Sequence, residues 1–472
     1  MQQVRLGEAA GRWVLVATVL GSGITFLDAT VVNVALPAIG GDLDADLAGL
    51  QWTITGYALT LAALILLGGA LGDRFGRRRV FLVGVVWFGL ASLACALAPT
   101  IETLVAARLL QGVGGALLTP GSLAIIQASF VPADRAKAIG AWSGLAGVTT
   151  VLGPFLGGYL IDTLSWRWIF LINVPLCAAV VIITLRTMPE SRDPSAVNRP
   201  DSAGAVLGAV GLGGVTYALI AAGDQAAFAV VAISAVVGLG ALAAFVLVER
   251  RERHPMLPPG IFRSRQFTVA NVMTLAVYAA LAGVSLFLTI QLQVGAGWTA
   301  LQAGAALVPV TGLLLVLSTP AGALATRIGP RVPMTVGPLL CAAGVGMLAI
   351  TVDRDPSYLT DVLPGVIVFG LGLSLLVAPL TATVLAAVED RHAGVASGVS
   401  NAVARTASLL AVAVLPLAVG ISGDDYADAE AFTGAYGIAM WLCVGLLAAG
   451  GVTSAAGIRR DVLPGPDASA TA

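Results

Sequence analysis

One acidic side chain in this sequence stands where water is scarce. The run from Trp13 to Ile39 is apolar and long enough to cross a bilayer, and Asp28 sits well inside it, within Leu27–Pro37, LDATVVNVALP. A carboxylate at that depth costs at least a few kcal/mol unless it is protonated, paired or facing a water-filled cavity. It is therefore either the working proton site of a transporter or a packing and capping residue that shapes the fold. Two bases also fall within apolar runs, Arg108 and Arg405. At a 1.5 Å rise per residue, Asp28 lies roughly 16 Å from the outer end of its run and Arg108 roughly 8–12 Å from the start of its own, so the two can meet in the outer half of a central cavity. Burial favours the neutral carboxyl, and a neighbouring guanidinium favours the ionised one. A carboxylate held between those pulls can gain and lose a proton as the cavity opens to one side and then the other, which is what coupling protons to transport requires. The plainer role for Arg108 is a buried arginine bonded to helix ends or carbonyls. Arg405, closing Asn401–Arg405, either faces the cavity or bonds neighbouring carbonyls.

The elements that must hold these residues are membrane helices. The 472 residues are 58% hydrophobic and only 11% charged, whereas roughly a quarter of the residues in a soluble protein are charged. Apolar runs recur along the whole length, and a run of about 20 residues in lipid satisfies its backbone only as a helix. The sequence thus implies an all-α polytopic membrane protein. We count fourteen spans, among them 138–162, 167–187 and 302–326. All but four of the 25 lysines and arginines fall on one side, the exceptions being Arg167 and Arg354 outside and Arg108 and Arg405 within spans. Such a bias puts the basic side, and both termini, in the cytoplasm. The four cysteines, Cys95, Cys177, Cys341 and Cys443, all fall in spans, and the two histidines, His254 and His392, in loops, so neither a disulfide framework nor a metal site is expected. An ATP-binding loop of the GxxxxGK[ST] type is absent, which argues against direct ATP drive.

An internal repeat organises the chain. Gly69–Arg78, GALGDRFGRR, recurs as Gly322–Arg331, GALATRIGPR; Gly112–Pro120 is echoed by Gly370–Pro379, and Asp134-Arg135 by Asp390-Arg391. Three echoes at nearly one spacing imply two homologous six-helix halves, 1–190 and 266–458, separated by two inserted helices and a cytoplasmic linker, 191–265, and followed by a cytoplasmic tail, 459–472.

Five motifs in order carry a resemblance. Leu27–Pro37, Gly69–Arg78, Ala107–Ala116 (ARLLQGVGGA), Gly153–Gly158 (GPFLGG) and Trp166–Pro175 (WRWIFLINVP) together resemble the fourteen-span drug:proton antiporter family of the major facilitator superfamily, the EmrB/QacA type. The likeness covers nearly the whole chain. It implies a major facilitator fold, a proton-transfer role for Asp28 and Arg108, and an antiporter motif at Gly153, Pro154, Gly157 and Gly158 that sets a helix crossing, with the span across the repeat as the expected neighbour. The leading glycine of that motif is Thr149 here, a departure. Physically, small residues let helices approach closely and a proline loosens the ladder. Gly69, Asp73, Arg74, Gly76, Arg77 and Arg78 form a candidate cytoplasmic latch, with Arg74 and Arg77 expected to pair with Asp134 or Glu389. The alternative is purely topological, basic charge that keeps the loop inside. Asn33, Trp52, Tyr57, Trp142, Gln291, Gln293 and Arg405 are candidates to line a drug-accepting cavity, although an aromatic in a span is often a packing residue or an interface anchor.

The function implied is proton-driven export of lipophilic, often cationic, small molecules, including antibiotics, across a bacterial cytoplasmic membrane. Asp28 is the only acid expected in the cavity unless Asp162 and Asp361, near the outer ends, turn inward, which favours monovalent, zwitterionic or neutral cargo. The alternative in the same class is a transporter of one native metabolite, such as a self-made antibiotic, an amino acid or a siderophore. A membrane-embedded enzyme finds no paired carboxylates, His/Cys cluster or GxSxG elbow here. The expected partners are the substrate and the lipid bilayer, with no nucleic acid and no cofactor besides the coupling proton. The chain is expected to act as a monomer, and the sequence is silent on any envelope adaptor.

Overall fold

Caps, prolines and glycines decide where each helix begins and ends. In the computed structural model, which describes residues 4–192, 201–252, 255, 257, 259–388, 393–423 and 425–459, α1 (Ala9–Leu43) runs uninterrupted past Asp28 and Pro37. The Asp46 carboxylate accepts from the Gly49 N–H at 2.8 Å and so starts α2 (Leu47–Phe75). α3 (Arg77–Ala96) follows across the single residue Gly76, whose φ of +115° a side chain would strain. A capping box between Thr100 and Thr103 opens α4 (Ile101–Ser129). After α5 (Pro132–Thr163) the expected span 167–187 is split into α6 (Trp168–Leu171) and α7 (Asn173–Thr187). Pro175 lacks the N–H that would have bonded the Leu171 carbonyl, so the ladder breaks there, one residue before Asn173. The inserted helices are α8 (Ser202–Gly223) and α9 (Phe228–Arg251).

The remaining helices are α10 (Arg265–Ile290), α11 (Ala300–Ala306), α12 (Val308–Ile328), α13 (Arg331–Thr351), α14 (Leu363–Ala386), α15 (Ala393–Val419) and α16 (Ala429–Gly457). The expected span 302–326 is thereby interrupted at Leu307, next to Pro309 at the start of α12. Among the described residues 13 helices are long and apolar enough to cross a membrane. The expected span 138–162 falls on α5, where the side chains of residues 143–151 lie outside the described residues. The protein is all-helical: the one extended pairing among the described residues is a single bridge, Val4 with Phe130.

Two compact units emerge, Met1–Ala218 with Ala232–Met256, and Leu219–Val231 with Leu257–Ala472. In the first, α4 packs on α2 and α3, α5 on α1, and α7 on α1 and α3. The second repeats the order: α14 packs on α12 and α13, α15 on α10, and α16 on α10 and α13. Missing side chains permit these approaches. A Cβ on Gly112 would stand 2.4 Å from the Tyr57 carbonyl of α2, and one on Gly114 would stand 2.7 Å from the Phe88 nitrogen of α3. In the second unit a Cβ on Gly372 of α14 would meet the Cys341 nitrogen of α13 at 2.6 Å. Van der Waals contact of this kind is what drives helix association where lipid is as apolar as leucine. The opposite faces are apolar and open, as with Val83, Leu90 and Trp87 on α3 and Ile233, Val236 and Leu247 on α9, which is the surface that hydrocarbon covers.

Candidate functional site

Five helices converge on Asp28. Its side chain is fully buried, as is that of Arg108, and Arg108 Nη1 donates to Asp28 Oδ2 at 2.5 Å. The same nitrogen donates to Gln111 Oε1 at 2.6 Å, and Arg108 Nε donates to the Thr53 carbonyl of α2 at 3.0 Å. Gln111 stands one turn beyond Arg108 on α4 and donates through Nε2 to Asp28 Oδ1 at 2.8 Å. Asn173, the first residue of α7, donates to the same oxygen at 3.1 Å. Ser92 of α3 accepts from Gln111 at 3.1 Å and from Asn173 at 2.9 Å, and donates to the Phe170 carbonyl at 3.0 Å. The guanidinium also lies 4.4 Å from the centre of the Tyr57 ring and 5.6 Å from that of Phe170.

Burying two charges costs several kcal/mol per ion, which the ion pair offsets only if the remaining lone pairs and protons are also satisfied. Here three donors reach the carboxylate and three acceptors take the guanidinium, the carboxylate among them. The arrangement gives every oxygen of the carboxylate at least one hydrogen-bond donor inside the closed site. Asp28 and Arg108 therefore meet, as their depths allowed, but each is only 1% exposed. Instead of lining an open cavity, they are sealed inside the first unit.

A family model described as Major Facilitator Superfamily matches residues 18–413. The chain belongs to the Major Facilitator Superfamily. It is 37% identical over 404 residues to the multidrug resistance protein Stp of Mycobacterium tuberculosis (strain CDC 1551 / Oshkosh), covering 85% of this chain and 74% of that one. It is 37% identical over 410 residues to the puromycin resistance protein pur8 of Streptomyces alboniger, covering 85% and 80%. Among solved structures it resembles the POT family transporter PepTSo with a TM-score of 0.68 at 15% identity, over 94% of this chain and 97% of that chain, a likeness of fold. This is a multi-pass membrane protein and a transporter rather than an enzyme.

The other motif residues of this superfamily member do different work from the pair. Gly153 and Gly157 of α5 face α1 within the same unit. A Cβ on Gly153 would lie 2.1 Å from Thr30 Oγ1 and one on Gly157 would lie 3.0 Å from Val31, two and three residues beyond Asp28. The expectation looked across the repeat for their neighbour; the described contact is with α1. Gly158 is buried and Pro154 half-buried beside them, and the Thr149 side chain lies outside the described residues.

The latch pairing also differs from expectation. Arg77, opening α3, bonds Asp73 in the last turn of α2, through Nε at 2.8 Å and Nη2 at 2.7 Å. Asp134 instead accepts the Leu6 N–H at 3.0 Å, and Glu389 lies outside the described residues. Arg74 lies over the Phe75 ring. Arg78 is tied to the end of α7, its N–H donating to Glu190 Oε1 at 3.1 Å and its Nη2 to the Leu185 carbonyl at 3.0 Å. Gly76 leaves room for that carboxylate, since a Cβ there would sit 2.5 Å from Glu190 Oε1. Gly69 faces Pro120 of α4 at ordinary contact distance.

The expected cavity residues scatter. Tyr57 is buried beneath Arg108. Asn33 bonds the Ala29 carbonyl of its own helix at 3.4 Å, and the Trp142 indole donates to Ser22 Oγ at 3.1 Å. Trp52 packs its ring 6.0 Å from that of Tyr217. In the second unit Gln291 is buried and donates to the Asp353 carbonyl and to Thr433, while Gln293 is half-buried in the adjoining π-helical turn. Asp361 accepts the Ser357 N–H at 2.7 Å and caps its own turn, and Asp162 is exposed at the end of α5, so neither joins Asp28. Arg405 is half-buried on α15, one residue beyond a cavity of about 80 Å³ lined by Thr274, Tyr278, Thr381, Ser400, Asn401 and Ala404, among others.

Three side chains of the Asp28 network went unsingled in the sequence: Gln111, Asn173 and Ser92. Gln111 carried a signal, since a polar residue three beyond Arg108 must share its helix face. Asn173 lay in view inside WRWIFLINVP. Ser92, a lone hydroxyl in an apolar span, had none.

Proposed function

We propose that this protein is a proton-coupled exporter of small lipophilic molecules, antibiotics among them, of the fourteen-span drug:proton antiporter type, working in a bacterial cytoplasmic membrane with both termini inside. The observation that carries the reading is the buried Asp28–Arg108 pair, the kind of intramembrane acid that is expensive to keep and serves proton relays. In this reading a proton entering from outside neutralises Asp28, frees Arg108, and changes which helix contacts are favoured. Loss of the proton inside restores the pair. Relatives named for multidrug and puromycin resistance support a drug-like cargo. Protons are the only coupling agent in the scheme, and a single chain suffices for it.

Everted vesicles carrying the protein and holding a pre-formed proton gradient test it. Adding a lipophilic dye cation should release protons, and Asp28→Asn should abolish the release. Proton release that survives Asp28→Asn refutes the mechanism. That one relative is named for a single antibiotic keeps a second reading in play, a transporter dedicated to one compound. Such a protein would ignore the dye and answer to one member of an antibiotic panel.

A further inference from the structure

Asn173 holds an acceptor that nothing uses. Its Nδ2 serves both Asp28 Oδ1 and Ser92 Oγ, while its buried Oδ1 has no hydrogen-bond partner. The other two side chains bonded to the carboxylate, Arg108 and Gln111, reach it through N–H groups. Three donors suit an ionised carboxylate. A protonated one carries an O–H of its own, and a buried O–H without an acceptor is costly. Arginine offers no acceptor at all, and Gln111 Oε1 already takes Arg108 Nη1 and the Cys95 thiol. An asparagine amide carries its oxygen and its nitrogen on one carbon, so a half turn about Cβ–Cγ exchanges them with no movement of the backbone.

We propose that Asn173 is a positioning residue for proton exchange at Asp28: its amide donates to the ionised carboxylate and, turned over, accepts the O–H of the protonated one. The inference rests on the proton-coupled reading above and deepens it. One O–H bond forms, at Asp28 Oδ1, as one O–H bond of the delivering hydronium breaks and water leaves; all other changes are to hydrogen bonds. Ser92 makes the turn possible, because a hydroxyl both donates and accepts: it takes the amide N–H in one state and, leaving the Phe170 carbonyl, can give its proton to the amide oxygen in the other, keeping Gln111 as donor throughout. The titratable groups that face the pair are Arg108 from α4, Tyr57 from α2, Cys95 from α3 and Cys177 from α7. On α5, which packs against α1, the side chains of residues 143–151 lie outside the described residues.

The test is the pH profile of dye-driven proton release in everted vesicles carrying the full chain. Asn173→Leu keeps the size of the side chain and removes one of three donors. The bond lost from the ionised carboxylate, to a charged group, is worth more than the one lost from the protonated form, so the midpoint should move upward by the difference, about one pH unit. Asn173→Asp, which sets a second carboxylate beside the first, should move it further in the same direction. Ser92→Ala, which loosens the amide, should move it less. A midpoint that stays in place in Asn173→Leu, with only the rate lowered, would make Asn173 a filler and overturn the proposal. Should Asn173→Leu fail to reach the membrane, Asn173→Ser and Ser92→Ala decide by the same criterion. Asp28→Asn, run alongside, separates the two readings. If it leaves proton release intact, coupling through Asp28 is wrong and this inference falls with it. If it abolishes release while the Asn173 variants keep the wild-type midpoint, only the role of Asn173 is wrong.

Discussion

Removing Arg108 should destabilise the protein by an amount that depends on pH, and the size can be worked from the site. Arg108→Ala takes away the cation 2.5 Å from a carboxylate that is fully buried. Breaking a buried ion pair from one side costs about 3–5 kcal/mol when the surviving charge stays. The surviving carboxyl has an escape, which is to bind a proton. Relative to an ordinary carboxyl, with a reference near 3.9, that escape costs about 4 kcal/mol at pH 7 and about 1.5 kcal/mol at pH 5, at 1.36 kcal/mol per unit. At pH 7 the two routes are equally costly, so the variant should lose about 4 kcal/mol. At pH 5 protonation is the cheaper route, and the electrostatic loss should shrink by about 2.5 kcal/mol. The double variant Asp28→Asn with Arg108→Gln removes both charges and should recover most of the stability at either pH. Reversible unfolding in mixed detergent micelles at the two pH values, with wild type measured at each, gives these differences directly. An equal loss at pH 5 and pH 7, or a double variant no better than Arg108→Ala, would refute the claim that an uncompensated Asp28 charge is what the variant suffers from.

Three further outcomes are expected. Gly153→Ala places a methyl 2.1 Å from Thr30 Oγ1, so Thr30 must turn away or α1 and α5 must part, and dye export should fall; adding Thr30→Ala leaves the Cβ at 3.2 Å and the Leu27 carbonyl at 3.3 Å, and should restore much of the activity in the same vesicle assay. Gly76→Ala combines a φ of +115° with a Cβ 2.5 Å from Glu190 Oε1, and should lower the melting temperature in detergent more than Gly41→Ala, where nothing lies within 4 Å of the new methyl. At the start of α16 the backbone N–H groups of Ala431 and Glu430 hold the Asp428 carboxyl below its ordinary range. Because its folded value is the lower one, the stabilisation is full above about 3.9, the unfolded reference, and is lost as pH falls through the folded value. The protection of those two amides, measured against the intrinsic exchange rate at each pH, should therefore fall on acidification, and should not change with it in Asp428→Ala.

Much of the architecture could be read in advance because its physics is local. Apolar length specifies a span, and the recurrence of GALGDRFGRR as GALATRIGPR anticipates a packing order that appears twice. The pairing of Asp28 with Arg108 was legible for the same reason, since helix rise alone put them at compatible depths. Side-chain direction was not. Whether Tyr57 turned toward an open cavity or beneath a guanidinium depended on how close α2 and α4 come, which Gly112 decides from the far side of the contact. Arg77 took the nearer carboxylate, Asp73 four residues back across the Gly76 break, over Asp134, which the amino-terminal segment had already engaged. Gly153 and Gly157 could be read as a helix-crossing device but carried no label for which helix they meet. Ser92 is the clearest case, a hydroxyl whose importance comes wholly from two amides on helices α4 and α7.

The enclosure of Asp28 by five helices has a kinetic corollary. If Asp28 exchanges the coupling proton as proposed, a carboxylate with 1% exposure is reached only when the bundle loosens, so that loosening rather than the proton transfer itself would set the rate. Exchange at this position should then carry the steep temperature coefficient of a collective structural fluctuation and only a weak solvent-isotope effect. On that proposal the scaffold's own breathing meters delivery of the ion, and variants that soften the helix contacts far from the acid should alter turnover without touching it.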